Sequence, residues 1–171
     1  MNTKNLVTLS LLVGIGTVLH TVMPGIVFGM KPDLMLIMMF LGIFLFPDLK
    51  STVLLGSVTG VISGLTTTFP GGLIPNLIDK FFTALLIYAI FSIVQKLGKT
   101  FAFSLVLTFI GTLVSGMLFL GSAYLIVGLP GPLLALVAVV VLPATVVNTV
   151  VMALIHPIAS GILKRSNIAI N

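Results

Sequence analysis

The sequence predicts an all-α polytopic membrane protein, a bundle of about six transmembrane helices, and three observations carry that reading. Hydrophobic residues make up 58% of the chain and charged residues only 6%; with a mean hydropathy of +1.34, too little polar matter is left to cover a water-facing surface. Apolar stretches on the scale of the roughly 20 residues that cross hydrocarbon as a helix recur along the chain. Proline and glycine dipeptides stand between them as helix punctuation. Lipid replaces water as the solvent of such a chain, so residues 1–171 are expected to form a single transmembrane helical domain in the cell membrane.

The first stretch runs from Leu6 to Met23 behind Lys4. It has the outline of a signal peptide, but Val22-Met23-Pro24 lacks the small-residue cleavage pattern, so a retained helix is expected. The second, Asp33 to Phe46, opens on Pro32-Asp33 and is short for a full span. The third, Thr52 to Phe69, follows Pro47-Asp48. The fourth, Lys80 to Gln95, comes after Pro70-Gly71-Gly72 and Pro75-Asn76 and is again short. The fifth, Phe101 to Val127, ends before Gly128-Leu129-Pro130. The last, Pro132 to Leu163, is longer than a span needs, and Pro143 and Pro157 are expected to kink or end it.

Small residues recur four apart on three of these stretches: Ser10 and Gly14 on the first, Gly56, Gly60 and Gly64 on the third, and Thr108, Thr112 and Gly116 on the fifth. Rows of this kind let helix backbones approach closely in lipid, either inside the bundle or at the surface of a partner. Alternate loops divide the basic residues unevenly. Lys4, Lys50, Lys96, Lys99, Lys164 and Arg165 fall on the amino-terminal side, Lys31 and Lys80 on the other. By the positive-inside rule both termini are expected in the cytoplasm.

The charge inventory excludes whole classes of function. A net charge of +5 is dispersed singly along apolar stretches, which speaks against a nucleic-acid partner. Cysteine and glutamate are absent and the acids are Asp33, Asp48 and Asp79, so no thiolate, metal centre or bound cofactor is expected. Gly98-Lys99-Thr100 imitates the end of a phosphate-binding loop, but the first glycine position falls on Ile93. With no hydrolase or metalloprotease template either, the chain is not expected to be an enzyme, nor to hydrolyse ATP by itself.

What remains polar is concentrated on the sparsely charged side. Lys31-Pro32-Asp33 and the run from Thr66 to Lys80 place two aspartates beside two lysines near apolar residues. Both charges beside an apolar wall suit a zwitterion with an apolar side chain, that is, a hydrophobic or aromatic amino acid. In that reading Asp33 or Asp79 meets the ammonium, Lys31 or Lys80 the carboxylate, and Phe69, Met38, Met39 and Phe40 form the wall. The aspartates equally suit helix caps, as Pro47-Asp48 does on the other side. Asn148 lies deep within its span, where a buried amide must either link helices or touch a ligand. His20 and His156 lie near opposite ends of spans, without an acid beside them in sequence, and read as interfacial polar side chains.

Four segments carry a family resemblance: Met30-Lys31-Pro32-Asp33 with Met38-Met39-Phe40-x-Gly42-Ile43; Phe69-Pro70-x-Gly72-x-Ile74-Pro75-Asn76-x-Ile78-Asp79-Lys80; Gly128-Leu129-Pro130; and Leu142-Pro143-Ala144 with Asn148. They resemble the bacterial tryptophan transport proteins over nearly the whole chain, the Ile-Pro-Asn-x-Ile-Asp-Lys run being the specific part. Those proteins are similar in turn to the substrate-binding S subunits of energy-coupling-factor importers, six-helix bundles that bind a vitamin or amino acid near the outer face. The resemblance implies tryptophan uptake, with Lys31, Asp33, Asn76, Asp79 and Lys80 as positions to test; residue chemistry adds Phe69 and Asn148. It also implies a transmembrane coupling subunit with cytoplasmic ATPases as partner. S subunits dock such a partner through alanines four apart on the first helix, where this chain has Ser10 and Gly14. Two other functions fit the composition: a solitary ion-coupled transporter of a hydrophobic amino acid, and a structural or regulatory membrane protein whose polar loops bind another protein.

Overall fold

The computed structural model describes residues 3–24, 33–97 and 100–166. Six helices make up the described chain: α1 (Thr3–Val22), α2 (Leu34–Leu45), α3 (Leu49–Leu65), α4 (Leu73–Val94), α5 (Thr100–Ile126) and α6 (Leu133–Arg165). Four of them, α1, α4, α5 and α6, are long and apolar enough to cross a membrane, while α2 and α3 have 12 and 17 residues. The chain is a multi-pass integral membrane protein. Successive helices reverse direction, so the two ends of the described chain share one end of the bundle, and α2 starts at the other.

The short α2 is the centre. Every residue from Leu34 to Leu45 is buried, and α1, α3, α4, α5 and α6 all pack on it. At about 1.5 Å per residue it is roughly 18 Å long, too short for a hydrocarbon core of about 30 Å. Its sheath of longer helices removes the need to span. Asp33 caps it, its carboxylate accepting the Leu36 N–H at 3.0 Å. Around it the outer faces of α1, α5 and α6 present Leu11, Leu125, Leu134 and Ile158 to lipid, each more than half exposed.

Two regions marked by proline differ from the expectation. The fourth helix begins at Leu73 rather than Lys80, because Pro75 occupies the first turn, where no backbone N–H is required. Asn76 completes that turn, its backbone N–H donating to Gly72 O at 3.0 Å and its side-chain Nδ2 to the same oxygen at 2.8 Å. Asp79 and Lys80 therefore lie in the second turn, and Asp79 caps nothing. In α6, Pro143 neither ends nor breaks the helix. Its ring excludes the carbonyl four residues back, and the preceding turn, Val137–Val141, widens into a π-turn in which the Leu142 N–H reaches Val137 O. Pro157 likewise sits inside the continuous helix.

The row Gly56, Gly60 and Gly64 seats α3 directly on α4. A methyl group at Gly60 would come within 3.0 Å of Leu77 Cα, and one at Gly64 within 2.9 Å of Leu73 Cα. The fifth-helix row also packs inside the bundle, Gly116 facing Val141 of α6. On α1, by contrast, Gly14 has open space where a side chain would be, and Ser10 is exposed.

Candidate functional site

Holding α4 against α3 turns the next stripe of α4 toward the interior, where Asn76, Asp79, Lys80 and Thr83 are all buried. Lys80 is 1% exposed and Asp79 is 1% exposed. The Lys80 ammonium is clamped between two carboxylates, 2.6 Å from Asp33 Oδ2 and in direct contact with Asp79 Oδ2. Thr83 Oγ1 donates to Asp79 Oδ1 at 3.0 Å, and Ser115 of α5 faces the same carboxylate. His20, near the end of α1, brings Nδ1 to 3.7 Å from Asp33 Oδ1.

Counted as ions among the described residues, two carboxylates face one ammonium, so the cluster carries one surplus negative charge unless His20 or an added cation balances it. An unbalanced charge in a low-dielectric interior is costly, and either a proton on one carboxylate or a second cation would relieve it. Beside the cluster lies a cavity of about 100 Å³ whose other walls are mostly apolar: Leu36, Phe69, Phe119, Leu120, Val140 and Val141. Phe69 and Phe119 meet edge to face with centroids 5.3 Å apart. Phe69 is held by a tight turn, in which its N–H donates to Thr67 Oγ1 at 3.1 Å and Gly71 takes a positive φ of 68°. Asn148 of α6 and Thr112 of α5 also line the cavity, joined by an Nδ2 to Oγ1 hydrogen bond of 3.3 Å. The side chains supply ion pairing, hydrogen bonding and an aromatic slot; among the described residues no group of histidines and acids could hold a metal ion.

Asp33, Phe69, Asn76, Asp79, Lys80 and Asn148, from four separate parts of the sequence, all line this one cavity. Lys31 lies outside the described residues. Lys80, expected as the partner of a carboxylate, is engaged by both aspartates. The wall expected from Met38, Met39 and Phe40 is elsewhere: these residues are buried among the helices around α2, with Phe40 against Phe44, because the central position of α2 turns them into core. His20, Thr112, Ser115 and Phe119 were not expected in the site. For His20 no acid stands nearby in sequence, and its approach to Asp33 comes from α1 folding against α2; the Thr112 row carried a signal only for helix packing.

Comparisons with known proteins give the family. The family model described as "Tryptophan transporter TrpP" matches residues 2–164. A "Probable tryptophan transport protein" of Bacillus subtilis (strain 168) is 54% identical over 167 residues, covering 98% of this chain and 96% of the relative. Proteins of the same description from Clostridium acetobutylicum and Clostridium perfringens (strain 13 / Type A) are 42% and 37% identical, covering 88% and 98% of this chain and 88% and 97% of those relatives. No solved structure matches the chain. A six-helix membrane bundle matched by the family model along almost its entire length belongs to the TrpP family of tryptophan transporters.

Proposed function

We propose that this chain is the membrane-embedded binding component of a tryptophan importer and that the cavity beside Asp33, Asp79 and Lys80 is where the amino acid sits. The observation that carries this reading is a pair of carboxylates, Asp79 buried and Asp33 partly buried, around the buried Lys80, bordered by an aromatic and apolar wall. The ligand's ammonium supplies the missing positive charge, in charge-assisted hydrogen bonds to Asp33 or Asp79. Its ring lies deeper in the cavity, against the apolar wall of Val140, Val141 and Ala144, with Phe69 and Phe119 closing the mouth above it. At about 100 Å³ the cavity is well below the roughly 300–1,000 Å³ of sites that enclose small organic ligands, so Phe69 and Phe119 must part to admit it.

Calorimetric titration of the purified protein with tryptophan, tryptamine and indole-3-propionate tests the charge logic. Tryptophan and tryptamine, which carry the ammonium, are expected to bind, and indole-3-propionate is not. Equal binding of all three would refute an ammonium site.

Energy for accumulation comes from outside the chain in this reading, through a transmembrane coupling subunit with cytoplasmic ATPases. The exposed Ser10 and Gly14 on α1 offer that subunit a close-packing face. With Lys80 inside α4, basic residues of the loops and termini divide six to one, Lys31 standing against Lys4, Lys50, Lys96, Lys99, Lys164 and Arg165. The end of the bundle that holds the termini is then cytoplasmic and the mouth near Phe69 faces outward. A cysteine at Ser166 should resist an impermeant reagent in intact cells and one at Pro70, exposed in the turn before α4, should react. The solitary-transporter reading has one observation of its own, the protonatable His20 beside Asp33. Uptake into liposomes by the purified chain under an imposed proton gradient would favour it; binding without uptake supports the coupled importer.

A further inference from the structure

We infer that Asn148 accepts the indole N–H of the ligand and thereby selects tryptophan over amino acids whose rings lack that donor. The inference rests on the cavity being an amino-acid site, as proposed above, and adds what reads the side chain. Asn148 is 0% exposed. Its Nδ2 donates to Thr112 Oγ1, while its Oδ1 has no hydrogen-bond partner among the described residues. A buried carbonyl oxygen without a donor is unfavourable, and a site that leaves one open within an apolar cavity is built for a ligand that brings the donor.

The placement suits an indole. Ser115 faces the Asp79 carboxylate, and Thr112 stands three residues along α5, about 4.5 Å farther from the mouth. Asn148 is bonded to Thr112, so the amide lies roughly one helical turn beyond the charge cluster. That is the order of separation between the ammonium of a tryptophan and its ring nitrogen. Val140, Val141, Ala144 and Gly116 line the space around it and offer no competing side-chain donor. The orientation is a product of the π-turn at Val137–Val141 forced by Pro143. One extra residue in that turn shifts the register of all that follows, and π-turns of this kind recur at functional sites.

The test compares tryptophan with 3-benzothienyl-alanine, an isostere with sulfur in place of the ring N–H, by calorimetry on the full-length wild-type protein and on Asn148→Leu. Wild type is expected to bind tryptophan at least about tenfold more tightly than the isostere, the usual scale for one buried hydrogen bond. Asn148→Leu should bind the two alike, with tryptophan weakened and the isostere unchanged or improved. Equal affinities in wild type would overturn the inference while leaving the amino-acid site standing, as would a preference that survives in Asn148→Leu. Binding of neither compound by wild type would overturn the site itself. Should Asn148→Leu fail to fold, the wild-type comparison, extended to 1-methyltryptophan, decides alone.

Discussion

Two rows of small residues at the same spacing meet opposite fates in this bundle. Gly56, Gly60 and Gly64 on α3 meet the backbone of α4, whereas Ser10 and Gly14 on α1 are exposed, with open space beside Gly14 among the described residues. A small residue every fourth position states that another helix can come close; it does not state which one. On α3 the answer is internal and serves the site, because the seam fixes the rotation of α4 and so presents Asp79 and Lys80 to the cavity rather than to lipid. On α1 no partner is found among the described residues, which is why that face is the one to examine for docking.

The comparison breaks most violently at the seam. Replacing Gly60 and Gly64 together by valine drives two side chains into the α4 backbone; overpacking costs about 1–3 kcal/mol per site, and the pair should abolish the monodisperse gel-filtration peak in detergent. Full retention of folding and tryptophan affinity would mean that α3 and α4 are not in contact. Next in size is the charge that the seam positions. Asp79→Asn should weaken tryptophan binding by about 1.5–3 kcal/mol, the scale of a charged hydrogen bond, as read by calorimetry, with the protein still folded because Asp79 caps no helix.

A smaller effect is expected where α3 begins. Asp48 caps it, accepting the Ser51 N–H at 3.0 Å, and that hydrogen bond holds its carboxyl below the usual carboxylate range. A lowered value means that the stabilising contribution is complete above the unfolded value of about 3.9 and fades as pH falls through the native one. Asp48→Ala should lower the thermal midpoint by the equivalent of about 1 kcal/mol near neutrality, and the difference from wild type should shrink below about pH 4. A constant difference down to pH 3 would assign the effect to something other than the ionised cap. Gly14→Leu should change least in the isolated protein, within about 0.5 kcal/mol of stability and with tryptophan affinity intact. In cells it should nevertheless reduce tryptophan uptake, sharpening the contrast between the rows; undiminished uptake would show that this face of α1 docks nothing essential.

Asn76 was marked by the family resemblance and Phe69 as an aromatic wall, while Asp33, Asp79, Lys80 and Asn148 could be picked out as candidates from chemistry, because a charge or amide in a segment this apolar is expensive unless it has work to do. Their mutual arrangement could not. Lys80 was legible as a cation beside an aspartate, but its clamp between Asp33 and Asp79 joins residues 47 positions apart on two helices. His20 carried no signal, since its acid arrives only when α1 folds against the start of α2.

By itself the sequence determined that the chain lives in lipid, that it crosses by helices, roughly where five of the six helices lie, and which few polar residues are exceptional. It could do so because hydrophobic length and proline or glycine punctuation are local properties, read from a window no longer than one helix. The tertiary structure alone decided that 12-residue α2 is the core, that Met38, Met39 and Phe40 are packing rather than pocket, and that α4 starts early enough to carry Asp79 and Lys80 inward. In water, hydropathy would have told the inside of the protein from the outside. In lipid both are apolar, so that distinction is absent from composition and is settled by which helix surfaces fit together.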